Sequence, residues 1–199
     1  MHGEEEMRRL GKIITVLGLV LILGGLATVI TTEVLNRNYE KSAQKIVEQL
    51  NTLLPEKSEG VMENYSNNLM PVLEIEGKDV CATVNIPDFS VTLPVLNVWD
   101  KASVKLPCRF EGNLYNGSLI IGGSDQKGQF DFFDKKDDGS TVTVTDMSGA
   151  VFNFTVDRVE RRKSAEKQVL ESENADLTLF VRDKLSMEYI IVRCVLKNG

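Results

Sequence analysis

Residues 13–31, IITVLGLVLILGGLATVIT, form a run of 19 residues without a charge. At about 1.5 Å per residue, a helix of that length nearly matches a hydrocarbon core of about 30 Å. The run is longer than the apolar core of a typical signal peptide, and no convincing small-residue cleavage site follows it. A retained membrane anchor is the reading adopted, with a cleaved signal peptide as its alternative. Arg8, Arg9 and Lys12 precede the run, Glu33 follows it directly, and Arg37 and Lys41 lie farther on. That bias places the N-terminus inside and the bulk of the chain outside, in a single pass through the cell membrane. Gly18, Gly24 and Gly25 lack the GxxxG spacing that lets two such helices pair closely.

A second pattern starts at once. Across 33–54, Leu35, Tyr39, Ala43, Ile46, Leu50 and Leu53 recur every three or four residues, which predicts a helix with one apolar stripe. Such a stalk can pack on the rest of the chain, pack on a sister stalk, or act as a plain spacer. Pro55 ends it, and PEKSEGVMENYSNN reads as a polar linker carrying the sequon Asn64-Tyr-Ser66. The expected organisation is 1–12 cytoplasmic, 13–31 transmembrane, 32–69 stalk and linker, and 70–199 a β domain.

From Met70 the period changes to two. The segments 80–86, 91–98, 118–123, 141–145, 151–159, 176–181 and 188–196 are short alternating or apolar runs separated by turn residues. Pro94 marks 91–98 as an edge or irregular strand. TVTVT and VFNFTVDRV flank DMSGA and predict a hairpin, with Phe152, Phe154 and Val156 on its buried face. Short helical pieces are expected at 100–106, 129–135 and 165–171. Seven or eight strands in about 130 residues predict a closed or nearly closed barrel.

The charge pattern excludes several functions. Net charge is −6 and no basic stripe exists, which argues against nucleic acid as a partner. Arg158, Arg161, Arg162 and Lys163 alternate with Asp157 and Glu160 and read as a solvated strand end. Cys81, Cys108 and Cys194 have no CxxC spacing, and DFFDKKDDG lacks the ligand alternation of a calcium loop, so no metal or other cofactor is expected. Cys81 reads as a core or strand position. Cys108 and Cys194 read as packed thiols, although an oxidising outer compartment would allow them to pair. The chain has one histidine, His2, on the predicted cytosolic side, so no imidazole is available outside for Cys/His catalysis.

An ordered series of segments resembles the sortase family: MPVLEIEGKDVCATVNIPDFSVTLPVL (70–96), LPCRF (106–110), SLIIGGSDQKGQFDFF (118–133), DGSTVTVTD (138–146), DLTLFVRD (176–183) and YIIVRC (189–194). The resemblance is to its class B-like branch. It implies a closed eight-stranded β-barrel preceded by a membrane helix and a stalk helix, on the outer face of a Gram-positive cell. Active members join proteins to the wall or to a pilin. A cysteine attacks a Thr–Gly bond within a Leu-Pro-x-Thr-Gly-like sorting signal, a histidine transfers protons and an arginine stabilises the oxyanion.

Carried over residue by residue, those roles are vacated. The family's Gly-His reads Gly123-Ser124, its Thr-Cys reads Val181-Arg182, and its arginine position reads Tyr189. Ser124 follows two glycines as an exposed nucleophile can, but no base is at hand to activate it. The resemblance therefore implies a catalytically degenerate sortase-like pseudoenzyme. Ser124, Val181, Arg182, Asp183 and Tyr189 are its candidate groove residues, with Arg182 free to pair with Asp183, Asp125 or a ligand carboxylate. The implied partners are a surface protein, a pilin or an active sortase. An enzyme with altered catalytic residues and a purely structural envelope protein are the alternatives.

Overall fold

The computed structural model describes residues 2–60, 69–99, 106–131, 139–171 and 174–197. The chain divides into two units, Met1–Asn38 and Tyr39–Gly199. The first is helical from His2 onward, as the N-terminal part of α1 (His2–Leu53). Its apolar side chains, Leu17, Leu21, Ile22 and Val29 among them, are exposed, and the helix is long and apolar enough to cross a membrane. The sequence divides this stretch into two helices. The backbone does not, because neither proline nor glycine occurs between Leu26 and Leu54 to interrupt the hydrogen-bond ladder.

The second unit is a barrel covered by the last turns of α1. Its strands are β1 (Ser58–Glu59), β2 (Leu73–Ile75), β3 (Lys78–Ile86), β4 (Val91–Leu96), β5 (Cys108–Glu111), β6 (Leu119–Ser124), β7 (Thr141–Asp146), β8 (Ala150–Arg162), β9 (Leu177–Arg182) and β10 (Tyr189–Leu196). Eight of them close a ring in the order β3-β4-β5-β6-β9-β10-β8-β7, because β7 pairs with both β3 and β8. β4–β5 and β6–β9 are the parallel neighbours, and the remaining ring pairs are antiparallel. The two short strands lie off the ring: β1 runs parallel to β8, and β2 forms a hairpin with β3. Closure leaves no long free edge for another chain to pair with.

Alternation builds the interior. Val84, Ile86, Leu119, Ile121, Phe152, Phe154 and Val156 point inward and are fully or almost fully buried, as the period of two predicts for the β7–β8 hairpin. Pro94 sits on β4 opposite Thr83, where β4 is paired along its length with β3 and touches β5 only at Leu96. Its missing N–H therefore costs no ladder bond on that side. From α1, Ala43, Ile46 and Leu50 enter the same core, and Lys45 and Gln49 donate to the Glu76 carboxylate, each at 3.0 Å. Of the alternatives for the stalk, packing on its own domain is the one observed.

Other expectations change. The LPCRF segment holds β5, and the linker contributes β1. The expected helix at 165–171 shrinks to α2 (Lys167–Leu170). Gln129–Asp131 form a turn, while residues 100–105, 132–138 and the sequon at 64–66 lie outside the described residues. No disulfide joins Cys108 to Cys194: β6 and β9 stand between their strands. Three strand spacings of about 4.8 Å exceed the roughly 7 Å that a disulfide tolerates between Cα atoms. Cys81 is buried, and burial pushes its thiol up to about 12.

Candidate functional site

The strands β6, β9 and β10 are apolar on both faces, which identifies a sheet covered on both sides. Leu119, Ile121, Leu179, Val181, Ile190 and Val192 face the barrel interior. Ile120, Phe180 and Ile191 belong to a separate cluster on the outer face, with Leu170 of α2 and the flanking Trp99, Phe110, Val169 and Tyr189. Trp99–Phe110 and Phe110–Phe180 pack edge to face with centroids 5.5 Å apart in each pair, and Trp99–Phe180 is a tilted pair at 5.4 Å. Tyr189 continues the series 6.5 Å from Phe180. Such offsets suit the ring quadrupoles.

Two adjacent glycines leave space on both faces. A Cβ on Gly122 would stand 2.2 Å from Cζ3 of Trp99 and 2.6 Å from Cζ of Phe180, and one on Gly123 would stand 2.2 Å from Cδ2 of Phe130 inside the barrel. Gly122→Val is therefore expected to displace the outer rings at a cost of about 1–3 kcal/mol. Trp99 is the sole tryptophan, so its emission maximum reads the change directly; an unshifted spectrum with an unchanged melting temperature would contradict this packing.

α2 walls the outer face, tied down by a residue that sequence reasoning passed over. Arg193, 3% exposed, donates to the Leu170 carbonyl, to the Val169 carbonyl at 2.5 Å, to Thr178 Oγ1 at 3.1 Å and to Glu160 Oε1 at 3.4 Å. A guanidinium can serve four acceptors at once because its donors form a rigid planar fork. Burial draws its pKa down while Glu160 opposes that shift. Lys167 of α2 also pairs with Glu111 of β5. Beneath this wall lies a cleft of about 500 Å³ whose lining includes Glu111, Ser118, Ile120, Leu170 and Thr178. The signal was available in YIIVRC, where a period of two puts Arg193 on the face of Tyr189 and Ile191.

At the far end of the same face the candidate residues form a row. The register pairs Ser124 with Arg182 and Arg182 with Tyr189. Directly opposed residues share a face, with Cβ atoms about 5 Å apart. The Arg182 guanidinium carbon lies 5.9 Å from the centre of the Tyr189 ring. Val181 faces the other way. It is 1% exposed and lines a cavity of about 210 Å³ at the barrel mouth, together with Asp125, Phe130, Asp183, Leu185 and Ile190.

Neither suggested carboxylate pairs with Arg182. Asp183 accepts from Leu185 N at 2.8 Å, Ser186 Oγ at 2.8 Å, Ser186 N at 3.3 Å and Arg161 Nη1 at 3.1 Å. These bonds, led by the Ser186 hydroxyl, hold its carboxyl at about 2. Asp125 accepts from the backbone N–H of Lys184 at 3.0 Å and pairs with its ammonium. Among the described residues no group of His, Cys, Asp and Glu is arranged to hold a metal ion.

This architecture is that of solved sortases. The chain matches a sortase D5 transpeptidase from Clostridium perfringens with a TM-score of 0.56 at 15% identity, over 81% of this chain and 99% of that one. A lid mutant of sortase A from Corynebacterium diphtheriae gives 0.55 at 17%, over 80% and 94%. Sortase C1 from Streptococcus agalactiae gives 0.54 at 17%, over 63% and 72%. No protein-family profile and no curated protein matches the sequence. The barrel thus has the sortase fold, in a chain whose N-terminal helix is long and apolar enough to serve as a membrane anchor.

Proposed function

We propose that this chain is a sortase-like pseudoenzyme, held by residues 13–31 in the membrane of a Gram-positive cell with its N-terminus inside and its barrel outside. It keeps the outer face of β6, β9 and β10 as a binding surface for sorting-signal peptides, pilins or an active sortase. The row Ser124–Arg182–Tyr189 carries this reading. Attack on a peptide carbonyl needs a nucleophile, a proton carrier and an oxyanion donor in one place. A guanidinium stays protonated and cannot attack. The Ser124 hydroxyl has no imidazole to activate it, since the chain's one histidine is His2. The thiols of Cys81, Cys108 and Cys194 are buried within strands rather than presented in the row.

The full chain in detergent micelles, given a Leu-Pro-x-Thr-Gly peptide and a glycine amine, is expected to bind the peptide in calorimetry and neither cleave nor ligate it. Turnover abolished by a thiol-blocking reagent would establish an enzyme with altered residues. Absence of both binding and turnover would leave a structural envelope protein.

A further inference from the structure

We propose that Arg182, Ser124 and Tyr189 form a carboxylate site at the edge of the outer aromatic cluster, taking a ligand in which one carboxylate stands beside an apolar side chain. This rests on reading the outer face as a binding surface. The cations around it are paired. Lys184 pairs with Asp125 and Arg161 with Asp183; Arg158, Arg162 and Arg193 surround Glu160; Lys167 pairs with Glu111. Arg182 has no carboxylate among the described residues. Yet Asp183 is its neighbour in sequence, and Asp125 follows the residue opposite it. Both carboxylates are engaged elsewhere, so the guanidinium is left exposed at the end of β9.

Its surroundings define the ligand. A cation held over an aromatic ring retains its in-plane N–H donors, which match the two oxygens of a carboxylate. The Ser124 hydroxyl shares the face and can donate a further bond. Tyr189 is only half-buried, and its ring leads on to Phe180 6.5 Å away, so the apolar surface open to a neighbouring side chain is the Tyr189 ring at the edge of the buried cluster. A cation with no carboxylate partner among the described residues, in a chain of net charge −6, suits a monoanion. Asp125 and Asp183 are each balanced by their own cation, so Arg182 offers one net positive charge, which one carboxylate matches and a phosphate dianion exceeds.

The test uses the full chain in detergent and four probes: acetyl-Leu-Phe, its C-terminal amide, an amidated peptide with an internal Glu, and inorganic phosphate. The free acid is expected to bind about tenfold or more tightly than the amide, the range of a charge-assisted hydrogen-bond pair. Arg182→Gln should abolish that difference without lowering the melting temperature, and Arg182→Lys should keep part of it. The internal-Glu peptide tells a chain terminus from a side chain as the source of the carboxylate. Equal binding of acid and amide, an undiminished preference in Arg182→Gln, tighter binding of phosphate, or no binding of either carboxylate peptide would overturn the site. Peptide binding without acid preference would sink this inference and leave the pseudoenzyme standing. Turnover of a sorting peptide would do the reverse.

Discussion

A fragment of residues 70–199 is expected to melt about 10–20 °C below one of residues 39–199, although both contain every strand of the closed ring. The difference lies in the last turns of α1. Ile46 and Leu50 are completely buried, Ala43 nearly so, and all three belong to the barrel's main core. Deleting them uncovers that core. Truncating one such buried Leu or Ile to Ala typically costs about 2–5 kcal/mol. A loss of about 5 kcal/mol in a domain of this size corresponds to roughly 10–20 °C. The shorter fragment also loses β1, the backbone hydrogen bonds from Ser58 to the Gly149 carbonyl and from Gly60 to the Val151 carbonyl of β8, and the approach of Gly60 to the Phe152 ring. Leu50→Asp in the longer fragment should reproduce most of the loss, because an unpaired carboxylate at a fully buried position costs more than a cavity. Thermal denaturation followed by circular dichroism measures both. Equal melting temperatures would show that the helix is a spacer rather than part of the folding unit.

The stalk shows where sequence reading succeeded and where it stopped. Its stripe was legible because burial follows the helical period, and Ala43, Ile46 and Leu50 are its buried centre. Leu35 and Leu53, read as part of the same stripe, are exposed. Periodicity reveals that a face is apolar but not how far the surface opposite it extends. The barrel strands were legible for the same reason, since a closed sheet with a filled interior imposes alternation on every strand. β5 was missed because Cys108–Glu111 is too short to alternate visibly and follows a proline. β1, two residues long, has no pattern of its own and exists because β8 offers an open edge there.

The candidate row was legible only through resemblance. Nothing local in LTLFVRD or SLIIGGS shows that Ser124, Arg182 and Tyr189 adjoin; that depends on the parallel β6–β9 pairing between segments more than fifty residues apart. Arg182 invited a partner among Asp183 and Asp125, yet each carboxylate is taken by a nearer donor. Asp183 folds the turn that follows it, and Asp125 holds the start of that turn through Lys184. Proximity in sequence to a charge therefore misled, because backbone N–H groups compete for the same oxygens.

Asp146→Ala is expected to destabilise the barrel by roughly 3–5 kcal/mol, an effect large for one side chain. Asp146 ends β7, is fully buried, and accepts from Ser148 N at 2.8 Å, Ser148 Oγ at 2.7 Å, Ala150 N at 2.9 Å and the Tyr115 hydroxyl. It thus folds the β7–β8 turn and ties that turn to the segment between β5 and β6. Alanine would remove the one carboxylate that these four donors share, leaving the half-buried Tyr115 hydroxyl and Ala150 N–H without it. Asp146→Asn, which keeps one acceptor oxygen, should cost less. The pair leaves a titration signature in Tyr115, whose hydroxyl is pushed up to about 12, first by burial and then by the bond to Asp146. The folded state holds that proton more tightly than the unfolded chain, which releases it near 10. The stability it contributes is therefore complete below pH 10 and falls as pH rises from 10 through 12. Tyr115→Phe should flatten this alkaline limb in denaturant melts. Asp146→Asn should bring the Tyr115 transition, followed by ultraviolet absorbance, part of the way back toward 10, since burial remains. Alkaline limbs of equal slope in wild type and Tyr115→Phe would show that the tyrosine–aspartate bond does not hold this corner of the barrel.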